Sequence, residues 1–150
     1  MEFKGTGRLA AAALLLIASA GVAMADGDAA NGKSVFRKCM ACHRIGDGAA
    51  NLVGPVLTGV IGRKAGTFEG FNYSATMKNA GDQGLVWDEA NITAYIQDPA
   101  AFLKKFLTDK GKADLMTDTP KMTFKLVKPD GTPDPDSVAD VIAYLKTFSK

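Results

Sequence analysis

The side chains best suited to chemistry in this chain stand in five consecutive residues, Cys39-Met40-Ala41-Cys42-His43, which hold both of its cysteines and its only histidine. Two cysteines three apart can each add a thiol to one vinyl group of a haem. A histidine directly after them can place an imidazole on the iron from the same helical turn. Three other chemistries use part of this set. A disulfide between Cys39 and Cys42 would suit an oxidising compartment, and a thioredoxin-like redox pair has the same cysteine spacing. Either leaves His43 idle, and the redox pair calls for a strand leading into the motif, where Asn31 to Lys38 reads as a helix. Structural zinc takes four nitrogen or sulfur ligands, and the chain has only two Cys and one His to offer. The spacing, the solitary histidine and the export signal described below favour covalent haem, one per chain.

A haem iron held by His43 has a second axial position. With no further His or Cys, it falls to a Met, Lys or Tyr, the N-terminal amine, a small ligand or nothing. Methionine is the foremost protein donor, because a thioether suits reduced iron and His/Met ligation raises the reduction potential. Met40 lies inside the motif, on the proximal side. Met77 sits in a short helical run, where a methionine is more often core filler. Met116 and Met122 share a late irregular stretch that could fold over the distal face. Met122 is the better framed of the two: Pro120 stiffens the approach and Phe124 offers apolar cover to the sulfur.

The elements that must position these groups come from one small domain. The chain has 150 residues, 47% hydrophobic and 23% charged, with 18 basic and 16 acidic side chains. That is too short for a multidomain enzyme, and it lacks the basic surplus of a nucleic-acid binder. Lys4 and Arg8 precede an apolar run from Leu9 to Ala18 and the small-residue end Ala23-Met24-Ala25. This pattern predicts a signal peptide over residues 1–25, cleaved after Ala25. The apolar run is roughly half the length of a membrane span. Residues 26–150 are then a single exported, soluble domain, whose modest core a large apolar cofactor would extend.

Four helical segments and a shorter helical run can be read. The first begins near an Asp28 cap and carries Val35 and Phe36 towards the motif. A glycine-rich loop follows, then the short run from Ser74 to Asn79. Asp88 caps a helix with Ile92, Tyr95 and Ile96 on one face, and Pro99 stops it and suits the first turn of the next, with Phe102, Leu103, Phe106 and Leu107. Lys110 to Thr119 and Lys128 to Asp136 read as loops. The last helix starts from a Ser137 cap with Asp140 three residues on, and places Val138, Val141, Ile142 and Leu145 in one stripe. Gly32 and Phe36 of the first helix are the expected partners of Val141 and Tyr144. Without any alternating strand pattern, the fold class is all-α.

Taken in order, Gly32 with Phe36, the Cys39 to His43 motif, Gly54-Pro55, Gly62-Arg63, Phe71-Asn72-Tyr73, Trp87, Tyr95, Pro99, Lys121-Met122-Thr123-Phe124 and Ile142-Ala143-Tyr144-Leu145 resemble the class I c-type cytochromes. The likeness is closest to the bacterial c-two subgroup and its mitochondrial relatives. The resemblance implies the cytochrome c fold, with N- and C-terminal helices packed across each other around a haem bound through Cys39 and Cys42. It implies His43 as proximal ligand, its second ring N–H donating to the Pro55 carbonyl, and Met122 as distal ligand with Tyr95 near its sulfur. It places Arg63, Tyr73 and Trp87 around the haem propionates, which would otherwise be costly buried charges. Read without the resemblance, Trp87 and Tyr95 are core aromatics and Arg63 a surface charge. Two departures stand out. Pro120 occupies a position where relatives commonly carry a hydroxyl, so either Thr119 takes over its hydrogen bond or the bond is missing. Met77 stands where many relatives have a hydrogen-bonding Asn.

A haem sealed by two strong ligands has no open site for substrate, which describes an electron carrier and not an enzyme. A haem enzyme or gas sensor with a labile sixth ligand, and a haem-free disulfide oxidoreductase, are the competing readings. Lys38, Lys104, Lys105, Lys121 and Lys125 are expected near the exposed edge, steering brief docking of a monomeric carrier to acidic membrane-bound partners. By resemblance the donor is a quinol-oxidising cytochrome complex. The acceptor is a terminal oxidase, a photosynthetic reaction centre or a periplasmic reductase.

Overall fold

Five short polar side chains, each just ahead of a helix, set the start points of the fold. Asp28 accepts from the backbone N–H of Asn31 at 2.7 Å and opens α1 (Ala29–Phe36). Ser74 does the same for Met77 at 3.2 Å and opens α2 (Ala75–Asp82). Asp88 caps α3 (Glu89–Gln97) through Asn91, and Asp98 caps α4 (Pro99–Asp109) through Ala101. Asp134 caps α5 (Pro135–Lys146) through Ser137, at 3.3 Å. Each cap satisfies a backbone donor that the first helical turn leaves unpaired. The computed structural model describes residues 26–149. The signal peptide expected over residues 1–25 lies outside the described residues.

The start of α5 differs from expectation. Ser137 is already inside the helix and donates its N–H to Asp134, because Pro135 fits the first helical position, where its missing N–H costs nothing. Asp140, expected to complete a capping box with Ser137, instead reaches across to α1 and accepts from the backbone N–H of Asp28 at 2.7 Å. A 3-10 turn, Ala113–Leu115, interrupts the loop expected from Lys110 to Thr119. Among the described residues the only extended pairings are two isolated bridges, Lys64 with Val86 and Val127 with Pro133. The fold is all-α.

The dominant contact is α1 on α5. A Cβ added to Gly32 would lie 1.9 Å from the Asp140 carbonyl oxygen and 2.8 Å from the Tyr144 Cβ, so only glycine allows this approach. One turn on, the Phe36 and Tyr144 rings sit 5.4 Å apart. α3 packs on α4 and α5, and α2 on α4. Leu85, Leu103, Leu107, Leu126 and Val138 are almost wholly buried among them. The long segment between α1 and α2 is pinned at the far end of α5 by the Gly59 N–H bonding to the Phe148 carbonyl, at 2.9 Å. These contacts leave one side of the molecule hollow, and it is bordered by the turn that follows α1.

Candidate functional site

Beyond Phe36 the chain continues in tight turns. The N–H groups of Cys42 and His43 both return to the Cys39 carbonyl, at 3.0 and 2.9 Å. One turn therefore presents Cys39, Cys42 and His43 to a single cleft of about 310 Å³. Both cysteines are free and half-buried. Burial, opposed by Lys38 and reinforced by Cys42, pushes the Cys39 thiol up to about 11. A redox-active dithiol needs the opposite shift, since its reactivity depends on the thiolate.

His43 is oriented from behind. Its Nδ1–H donates to the Pro55 carbonyl oxygen at 2.7 Å. A carbonyl can only accept, so this bond settles the tautomer and leaves Nε2 with a free lone pair. Burial lowers the His43 pKa and the Pro55 bond opposes the shift, so the ring is neutral, as a metal ligand must be. Gly54 lies flat against the ring: a Cβ there would be 2.3 Å from Cε1 and 2.7 Å from Nδ1. The Gly54 N–H binds the Cys42 carbonyl at 2.8 Å, which brings the Gly54-Pro55 step back onto the attachment turn.

All nine expected site residues line this one cleft: Cys39, Cys42, His43, Pro55, Arg63, Tyr73, Trp87, Tyr95 and Met122. Arg63 donates to the Val56 carbonyl at 2.9 Å and the Thr58 carbonyl at 2.5 Å, and its guanidinium covers the Phe68 ring at 4.5 Å. Burial lowers its pKa and neighbouring Tyr73 opposes the shift. The Tyr73 hydroxyl is raised by burial, opposed by the Phe68 backbone and Arg63. Trp87 is locked beside Arg63 by two 2.9 Å backbone bonds, Trp87 N–H to the Arg63 carbonyl and Gly62 N–H to the Trp87 carbonyl. Its ring meets that of Tyr95 at 4.8 Å, and burial pushes the Tyr95 phenol well above its ordinary value.

Of the two methionines weighed most closely above, Met122 lines the cleft, while Met116 packs against the core and is absent from the lining. Met77 is buried, as expected of core filler, and also borders the cleft from α2. Met40 is 47% exposed on the outer side of the attachment turn. The mouth carries two exposed apolar side chains, Val53 at 69% and Phe124 at 40%. Of the five lysines expected near the edge, Lys38 and Lys121 line the cleft. Lys104 and Lys105 lie on α4, outside the lining. Lys105 pairs with Asp109, and Lys125 with Asp98, both at 2.6 Å.

The residues that sequence reasoning missed hold the Met122 stretch in place. The two Asp118 carboxylate oxygens accept from the N–H groups of Ala75 and Thr76, both at 2.8 Å. The Thr76 hydroxyl donates to the Asp118 carbonyl oxygen at 2.8 Å and accepts from its N–H at 3.1 Å. Hydrogen bonding from the Thr76 side chain and backbone holds the Asp118 carboxyl below the ordinary carboxylate range. Thr119, offered above as a stand-in for the missing hydroxyl, is exposed. Lys121 Nζ donates to the Asn72 carbonyl oxygen and lies over the Phe71 ring at 5.7 Å.

The donor set and the cleft suit one prosthetic group: two thiols and a tautomerically fixed imidazole on one turn, facing a largely apolar cleft. Together with the helical shell they define a c-type haem protein. Residues 29–149 match the family described as Cytochrome c. The chain is 57% identical over 124 residues to cytochrome c2 iso-2 of Rhodospirillum centenum, an alignment covering 83% of this chain and 98% of that protein. It is 54% identical over 121 residues to a cytochrome c2 of Rhodopseudomonas palustris, covering 81% and 98%. The solved structure of cytochrome c2 from Rhodospirillum centenum superposes with a TM-score of 0.77 at 56% identity, covering 83% of this chain and all of that one.

The chain belongs to the cytochrome c family, in its bacterial c2 branch. It carries one haem c, attached through Cys39 and Cys42, and its work is electron transport.

Proposed function

We propose that the chain is an exported, periplasmic carrier whose haem iron is held between His43 and Met122. The observation that carries this reading is that both side chains line one apolar cleft, with the His43 Nδ1–H already committed to Pro55. When bound, the haem supplies an iron centre that gains and loses a single electron. His43 gives its Nε2 lone pair, made more basic by the Pro55 hydrogen bond. Met122 would give a thioether that favours the reduced metal, and Tyr95 lines the same cleft. Held by both His43 and Met122, the iron would need little movement when its charge changes and would offer oxygen or peroxide no open site.

Arg63, Tyr73 and Trp87 are the donors for the two propionate groups. Their common wall and the fixed guanidinium of Arg63 support the assignment, since ionised carboxylates in such a place need partners. Electrons pass at the mouth, where Val53 and Phe124 give an apolar contact and Lys38 and Lys121 a positive rim. The other three lysines contribute at longer range. The partners are acidic membrane-bound complexes that dock briefly with a monomeric carrier. The donor oxidises quinol, and the acceptor is a terminal oxidase, a photosynthetic reaction centre or a periplasmic reductase. The signal peptide over 1–25 and a single mature domain over 26–150 complete the reading.

The test is expression with residues 1–25 in a cell that attaches c-type haem, followed by spectra of both oxidation states. Sharp low-spin bands on reduction, and a long-wavelength sulfur-to-iron band in the oxidised form that disappears in Met122→Ala, are expected. A sulfur-to-iron band that survives this substitution removes Met122 from the iron.

A further inference from the structure

Met122 lies in a stretch, residues 116–126, that has no helix or strand to hold it. At its far end the Leu126 N–H binds the Ile96 carbonyl at 2.7 Å. At its near end four hydrogen bonds join Asp118 to the Ala75-Thr76 step across 42 or 43 positions of sequence, flanked by single bonds from the Asn79 amide to the Leu115 carbonyl and from Lys121 Nζ to the Asn72 carbonyl. We infer that Asp118 is a positioning residue for the distal ligand: its hold on the first turn of α2 keeps the loop closed and Met122 over the cleft. This rests on the Met122 ligation proposed above.

Three observations carry the inference. First, α2 already has its own cap, Ser74 on the Met77 N–H, so the Asp118 carboxylate serves the two donors that Ser74 leaves unpaired. An acceptor arriving from a distant loop at those donors fastens that loop to the helix. Second, Thr76 is fully buried and its hydroxyl is bonded in both directions to the Asp118 backbone, so the tie is specific to one register. Third, only Thr119, Pro120 and Lys121 separate Asp118 from Met122, and Pro120 is buried with a fixed φ. A displacement of Asp118 is therefore passed on to the sulfur.

An external ligand can reach the distal position only when the loop is open, so its apparent affinity scales with the open fraction. Imidazole binding to the oxidised holoprotein measures this fraction. Asp118→Ala, which removes both carboxylate bonds, is expected to tighten imidazole binding about tenfold. Asp118→Asn keeps one acceptor oxygen and should fall between it and the unaltered chain. Thr76→Val removes the hydroxyl at nearly constant volume and should shift affinity in the same direction, and it carries the test if Asp118→Ala does not fold. Denaturant unfolding of each variant gives the control. A lower midpoint with imidazole affinity unchanged would show that Asp118 only supports the fold, and would overturn the inference. A sulfur-to-iron band that persists in Met122→Ala overturns the ligand assignment instead, so the two failures are separable.

Discussion

His43 does its work only because its neighbours have no room to spare. The Pro55 carbonyl fixes its tautomer, and the bare Cα of Gly54 leaves space for the ring. Gly54→Ala would place a methyl 2.3 Å from Cε1 and force the ring away from Pro55. The expected result is a loss of about 2 kcal/mol in stability, measured by denaturant titration of the holoprotein. The reduction potential should also rise, because a ligand without its hydrogen bond donates less charge to the oxidised iron. A potential equal to that of the unaltered chain would contradict this account. The attachment motif was readable in the sequence because its chemistry is complete within five consecutive residues. The part played by Gly54 was visible only as a member of a family pattern, since the ring it touches lies eleven positions earlier.

Helix starts were readable for the same local reason: an Asp or Ser three residues ahead of the N–H it serves is written within one turn. Asp134 was passed over because Ser137 also makes a plausible cap, and the competition is decided by the fit of Pro135 to the first helical position. Asp118 was hidden altogether, because its partners stand 42 and 43 positions away and no local pattern marks them. At this scale the α1–α5 contact is the most exacting. Gly32→Ala should cost about 3 kcal/mol by driving a Cβ into the Asp140 carbonyl, read as a lower unfolding midpoint with an unchanged haem spectrum. Acid should test the loop tie. The Asp118 carboxyl is held below its ordinary value of 3.8 by Thr76, with Lys121 a weaker influence. Its contribution is therefore complete above that ordinary value and fades as pH falls through the depressed one. The sulfur-to-iron band should weaken over this acid range, and Asp118→Asn should flatten that dependence.

Across the whole molecule, 18 basic and 16 acidic side chains leave a formal net charge of +2, so attraction to a partner depends on where charge lies more than on how much there is. Lys38 and Lys121 stand at the cleft, whereas Lys105 is already paired with Asp109 at i+4. Reversing Lys38 and Lys121 to Glu should slow association with an acidic redox partner several-fold at low salt, with the difference vanishing at high salt. Lys105→Glu should do much less. Stopped-flow electron transfer across a salt series distinguishes these outcomes, and equal effects from all three lysines would remove the cleft rim from the docking face.

The seam between α1 and α5 also sets a clock. Asp28 and Asp140, which meet across it, are 112 positions apart, and the two thiols follow α1 almost at once. A chain emerging from its N-terminus at the usual pace of synthesis presents Cys39 and Cys42 on the order of ten seconds before its last helix arrives. Through that interval the attachment turn has no α5 to brace it, and both thiols should be more accessible to haem attachment than in the finished fold. A circular permutant with α5 ahead of α1 would close that interval, and the fraction of chains that mature with haem should fall.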